Sequence, residues 1–135
     1  MTSDRDSSWA GSRTILVVDD SENSVCCLEI ALACIPGVRV VFASSAAEAI
    51  VRLNSGAEAV SAVVTDIGMP GMDGFALIRH IRSDRAHFAI PIIVVTGDSD
   101  PETPERTLQL GANAFFAKPF SPVAIRNVLE KLLNG

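Results

Sequence analysis

Short apolar runs and helix-period segments alternate along this chain from residue 14 onward. "TILVV" (14–18), "VRVVFA" (38–43), "SAVVTD" (61–66), "PIIVVTG" (91–97) and "AFFAK" (114–118) are β-rich runs of strand length. Between them, apolar residues recur at helical steps. Segment 23–35 carries Val25, Leu28, Leu32 and Ile35 and is stopped by Pro36-Gly37. Segment 45–56 starts on a Ser cap and stops on Gly, and 73–84 carries Phe75, Ile78 and Ile81. Segment 101–112 is weaker: Pro101 can open a helix, but Pro104 forces a later start or distorts the turn, so a short or mobile helix is expected. Segment 121–135 has Ser at the cap, Pro in the first turn and Gly at its end.

Five strands alternating with five helices predict an α/β fold: a doubly wound (βα)5 parallel five-stranded sheet with helices on both faces. Runs 14–18, 61–66 and 91–97 are nearly all apolar, as central strands covered on both sides should be. Arg39 inside the second run and the shortness of the fifth place both at edges. The order 2-1-3-4-5 satisfies these constraints. It is the flavodoxin-like order, with its ligand site at the switch point between strands 1 and 3. Residues 14–135 then form one domain, and residues 1–13, polar apart from Trp9, are expected to be a flexible tail.

Composition removes several function classes. The net charge of -5 lacks the basic footprint of a nucleic-acid binder and speaks against an anionic membrane surface. No apolar run reaches the roughly 18–20 residues of a membrane helix, and the N-terminus has no signal-peptide core, so a cytoplasmic location is expected. Cys26, Cys27 and Cys34 share one apolar helical segment without CxxC spacing and are expected to be reduced, buried packing residues. His80 and His87 are expected to face solvent on or after the third helix. Phe115 and Phe116 alternate in a strand, so one is expected to face in and one out.

In such sheets the chemistry sits beyond the carboxyl ends of the strands. Strand 1 ends in Asp19-Asp20, strand 3 in Asp66, strand 4 in Thr96 and strand 5 in Lys118-Pro119. Three carboxylates on one rim repel, each pair costing on the order of 4 kcal/mol at about 4 Å and an effective dielectric of about 20. Lys118 cannot neutralise all three. A hard divalent cation can, and oxygen donors without His or Cys point to Mg²⁺ (or Mn²⁺) rather than Zn²⁺. The loop after strand 1 reads "DDSENS", which repels phosphate where nucleotide-binding relatives of this architecture place glycines, and no G-x-x-x-x-G-K-[ST] motif occurs. A carboxylate is a competent nucleophile toward phosphorus. Asp66, alone on the central strand, suits that role, and the pair Asp19-Asp20 suits the metal.

The set Asp19-Asp20, "DIGMPGMDG", Thr96 and "KPF" resembles the receiver domain of bacterial two-component response regulators, over residues 14 to about 133. The set is specific because order and spacing agree: 46 positions separate Asp20 from Asp66, 30 separate Asp66 from Thr96, and 22 separate Thr96 from Lys118. The resemblance implies that Asp66 takes phosphate from the phosphohistidine of a sensor histidine kinase or phosphotransfer protein. It implies that Asp20 binds Mg²⁺ directly, that Asp19 helps to position it, and that the Gly68 carbonyl is a further ligand. It assigns Thr96 and Lys118 to the phosphoryl group, Phe115 to the switch aromatic position and a cis bond to Lys118-Pro119. A downstream protein partner would read the helix 4–strand 5–helix 5 face, and a homodimer is also admitted. Phe115 lacks the hydroxyl of the common Tyr, Gly68 has no side chain to orient or block a water, and Gly97 follows Thr96 where Ala is common.

Two other readings are carried. One is a binding module that keeps the fold without using phosphate, against which Asp20, Asp66, Thr96 and Lys118 stand intact. The other is an aspartyl-phosphate phosphohydrolase, whose usual D-x-D is absent because Ile67-Gly68 follow Asp66. Met69, Pro70, Met72 and Gly74 read as loop and packing residues that shape the surroundings of Asp66. The chain ends on its fifth helix, so the expectation is action through a partner, onward relay of the phosphate, or excision from a longer regulator or hybrid kinase.

Overall fold

The computed structural model describes residues 13–56, 59–68, 71, 73–97 and 100–134. The tail with Trp9, and Met69, Pro70 and Met72, lie outside these residues. Five parallel strands form one sheet in the order β2-β1-β3-β4-β5: β1 Arg13–Val18, β2 Val38–Ala43, β3 Val60–Thr65, β4 Ile92–Thr96 and β5 Ala114–Ala117. The helices between and after them are α1 Glu22–Ala33, α2 Ala46–Ser55, α3 Gly74–Ser83, α4 Thr103–Leu110 and α5 Pro122–Asn134. The expected order is therefore the observed one, with exposed Arg39 on the β2 edge.

Strand alternation divides the core into two layers. Leu16, Val18, Val63, Ile92 and Val94 point to the side covered by α2 and α3. Ile15, Val17, Val64, Ile93 and Val95 point to the side covered by α1 and α5. Because both faces are covered, Phe115 packs in the first layer and Phe116 in the second, and both are half-buried. The expected division of this pair into one inside and one outside is corrected for that reason.

Local signals explain the helix ends. Ser45 Oγ accepts from the Glu48 amide at 3.1 Å while Glu48 Oε1 accepts from the Ser44 amide at 2.8 Å, and Gly56 closes α2 at φ 71°. Asp73 Oδ1 accepts from the Ala76 amide at 3.0 Å to start α3. Helix α4 begins only at Thr103, after Pro101, and tolerates Pro104 in its first turn, where amides have no helical acceptor. It is the shortest of these helices, as the two prolines suggested.

The cysteine expectation is corrected: Cys26, Cys27 and Cys34 are all exposed. Helix α1 turns its Leu28, Ala31 and Leu32 inward. At about 100° per residue, positions 26 and 27 rotate away from that stripe. Solvent-facing histidines are corrected too. His87 Nδ1 lies 3.1 Å from Asp84 Oδ2, in the turn that leaves α3. His80 is half-buried, and its Nε2 is enclosed without a hydrogen-bond partner among the described residues.

Candidate functional site

Ladder hydrogen bonds continue one residue past the strand ends and fix the functional positions. The Asp19 amide donates to Ala43 O at 3.1 Å, the Asp66 amide to Val18 O at 2.9 Å, and the Lys118 amide to Thr96 O at 2.8 Å. Residues far apart in sequence thus reach one rim on rigid backbone. Asp19, Asp66 and Thr96 are buried, Lys118 is half-buried and Asp20 is exposed.

Lys118 Nζ stands 3.1 Å from both Asp19 Oδ2 and Asp66 Oδ2. Asp66 Oδ1 accepts from the Ile67 amide at 2.6 Å and from the Gly68 amide at 3.2 Å. The Thr96 hydroxyl also hydrogen-bonds the Asp66 carboxylate. Asp19 Oδ1 accepts from the Ser21 amide at 2.9 Å, and Ser21, not either aspartate, caps α1 through the Ser24 amide.

These partners set opposite directions for the two buried acids. Burial pushes Asp66 up, but the hydrogen bonds from Thr96, Lys118 and Gly68, and the lysine's charge, outweigh it and hold the carboxyl below its ordinary value. Burial also pushes Asp19 up, and there it wins over the Ser21 amide and Lys118, with the Asp66 charge adding to it. Lys118 is pushed down by burial, yet its two carboxylate partners raise it above its ordinary value. One ammonium is shared by two acids, and Asp19 is the one left with unbalanced charge.

Carboxylate oxygens of Asp19, Asp20 and Asp66 all lie within 4.8 Å of one another. Three hard oxygen donors against one ammonium fit a hard divalent cation. Gly68 is exposed and its N–H is committed to Asp66, so its carbonyl is the polar group it has left to offer. A hollow of about 450 Å³ opens beside the cluster, lined by Asp19, Asp20, Val25 and Phe42 among others.

Other expected positions stand further out. Phe115 pairs with Val94 in register on β5, three residues before Lys118, and contributes apolar packing rather than a polar contact. The Lys118–Pro119 peptide is cis. Among the described residues, nothing lies within 4 Å of where a Cβ at Gly68 or Gly97 would stand. Gly74, by contrast, packs against the backbone of Asp66 and Ile67 so closely that a Cβ would stand 2.8 Å from Ile67 Cα. Sequence reading missed the Ile67, Gly68 and Ser21 amides, which have no side-chain signature, and Thr65, whose hydroxyl in a valine run was the available signal.

The family model described as "Response regulator receiver domain" matches residues 15–130. The chemotaxis protein CheY1 of Helicobacter pylori is 32% identical over 120 residues, covering 89% of this chain and 96% of that protein. The transcriptional regulatory protein GltR of Pseudomonas aeruginosa is 36% identical over 125 residues, covering 93% of this chain and 50% of GltR. Among solved structures, the signal receiver domain of a signal transduction histidine kinase from Syntrophus aciditrophicus superposes with a TM-score of 0.81 at 31% identity, covering 92% of each chain. Among the described residues, no helix is long and apolar enough to cross a membrane.

Proposed function

This chain belongs to the response regulator receiver domain family, and from that premise we propose that Asp66 accepts a phosphoryl group from the phosphohistidine of a sensor histidine kinase or phosphotransfer protein. The observation that carries the reading is the shared contact: Lys118 Nζ and the Thr96 hydroxyl both address the Asp66 carboxylate, with Asp19 alongside.

An Asp66 oxygen forms the new O–P bond as the N–P bond of the phosphohistidine breaks, and the imidazole nitrogen leaves with the bonding pair. Asp66 is held ionised at neutral pH, so no base has to activate it. Thr96 and Lys118 turn from the carboxylate toward phosphoryl oxygens, where charge gathers during transfer. Asp19, Asp20, Asp66 and the Gly68 carbonyl would hold Mg²⁺ (or Mn²⁺), which when bound offsets the charge of the incoming phosphoryl group.

The output follows from the same contacts. A phosphoryl group adds about two negative charges beside Thr96 and Lys118. Thr96 ends β4 and pairs with Ala117 of β5, so its movement reaches the α4–β5–α5 face. Leu108 and Val123 are exposed on α4 and α5 and suit contact with a downstream protein. The test is intact mass after incubation with Mg²⁺ and acetyl phosphate, beside Asp66→Asn. One phosphoryl adduct on the wild type and none on the variant is expected. No adduct on the folded wild type would instead favour a phosphate-independent binding module.

A further inference from the structure

Thr65 is the last residue of β3, fully enclosed between Val18 of β1 and Val94 of β4 in register. Its Oγ1 donates to the carbonyl oxygen of Asp66 at 2.8 Å. That carbonyl belongs to the peptide linking Asp66 to Ile67. The N–H of the same peptide donates to Asp66 Oδ1 at 2.6 Å. A peptide group is planar and stiff, so a hydroxyl that holds its oxygen end also aims its N–H end. Gly74 closes over the carbonyl from the start of α3, where any Cβ would collide with Asp66 O. With Oδ1 occupied by the Ile67 and Gly68 amides, Oδ2 is the oxygen turned to Lys118.

We infer that Thr65 is a positioning residue of the site: its hydroxyl sets the Asp66–Ile67 peptide plane and, through it, the orientation from which the Asp66 carboxylate attacks. The inference rests on the reading of Asp66 as the phosphoacceptor. Valine has the shape of threonine and would fill the same space, and the two preceding residues of the strand, Val63 and Val64, are buried valines. A buried hydroxyl costs desolvation that a methyl does not, and here it stands at the position adjoining the nucleophile.

Thr65→Val keeps the volume and removes the hydroxyl, whereas Thr65→Ser keeps the hydroxyl and removes a methyl. In metal-free, ¹⁵N-labelled protein, the Ile67 amide resonance shifts in Thr65→Val and stays near its wild-type position in Thr65→Ser. With Mg²⁺ and acetyl phosphate, the initial rate of adduct formation falls roughly tenfold in Thr65→Val and stays within about threefold in Thr65→Ser. Thermal melts run the other way, with Thr65→Ser less stable because a buried methyl is gone. A purely structural role would make rate follow stability. A wild-type rate in folded Thr65→Val overturns the inference and leaves Asp66 as acceptor untouched. No adduct on the wild type overturns the reading of Asp66 and the inference with it. Should Thr65→Val not fold, Thr65→Ala and Thr65→Ser, which share the lost methyl, make the same comparison, and equal rates in the two overturn the inference.

Discussion

Two cations anchor opposite ends of this sheet, and they spend their charge differently. Arg82, at the end of α3, lies near the amino ends of β4 and β5. Its guanidinium donates to the carbonyls of Gly111, Phe88 and Ile90 and to Asn113 Oδ1, at 2.6–3.0 Å. None of these acceptors is a carboxylate. Asn113 Oδ1 in turn accepts from the Ile92 amide, so the node ties α3, two loops and a strand together. Lys118, at the carboxyl ends, faces two buried acids, with a third beside them. The arginine node is closed by neutral dipoles already present. The lysine node carries charge that one ammonium does not balance, which is the signature of a place built to receive something else.

The comparison breaks most readily at Lys118. Lys118→Met should lower the rate of phosphoryl incorporation by about a hundredfold, because a preorganised cation at the reacting group is lost. Its melting temperature in saturating Mg²⁺ should change little, because the divalent cation then balances the two buried carboxylates that lose their shared ammonium. Rate and thermal melt on the same preparation check this. Arg82→Met should do the reverse. Its partners lose charge-assisted hydrogen bonds, and a loss of about 2 kcal/mol in denaturant unfolding is expected, with phosphoryl incorporation by the folded protein preserved. If both substitutions affected rate and stability alike, the division into a receiving end and a closed end would be wrong.

A smaller effect tests the unbalanced charge itself. The folded pKa of Asp19 is raised from its ordinary 3.8, chiefly by burial, so its ionised form weakens the metal-free fold. The penalty grows as pH rises from the unfolded value through the folded one and is complete above it. Asp19→Asn should therefore melt higher than wild type in EDTA at neutral pH. The gain should shrink as pH falls toward 3.8, where the wild-type carboxyl takes up its proton. Added Mg²⁺ should raise the wild-type melting temperature and should do so less in Asp19→Asn. Smallest of all, Cys27→Ser on the exposed face of α1 should leave stability within about 0.5 kcal/mol by denaturant unfolding.

The receiving end was the more legible of the two from sequence. Its residues sit at strand ends, and strand ends can be found from apolar runs, so the sequence alone puts Asp19, Asp20, Asp66, Thr96 and Lys118 on one rim. The order of the strands followed from Arg39 and the short fifth run. The closed end was illegible because nothing local marks which arginine folds back over carbonyls 29 residues further on, as Arg82 does at Gly111. The exposure of the cysteines is not legible in the sequence, because α1 is apolar nearly all round and period alone does not choose its buried stripe. Thr65 carries one signal in the sequence, a hydroxyl at the end of a valine run, and its hydrogen bond to the next residue's carbonyl adds no spacing to it.

Whether Asp66 supplies the oxygen that bonds phosphorus is tested most directly by peptide mapping. The protein is phosphorylated with acetyl phosphate and Mg²⁺, the acyl phosphate is trapped as a hydroxamate with hydroxylamine, and the digest is sequenced by mass spectrometry. We expect the modification at residue 66 and at no other aspartate. A trapped adduct at Asp19 or Asp20, or none on folded protein that binds Mg²⁺, would contradict it.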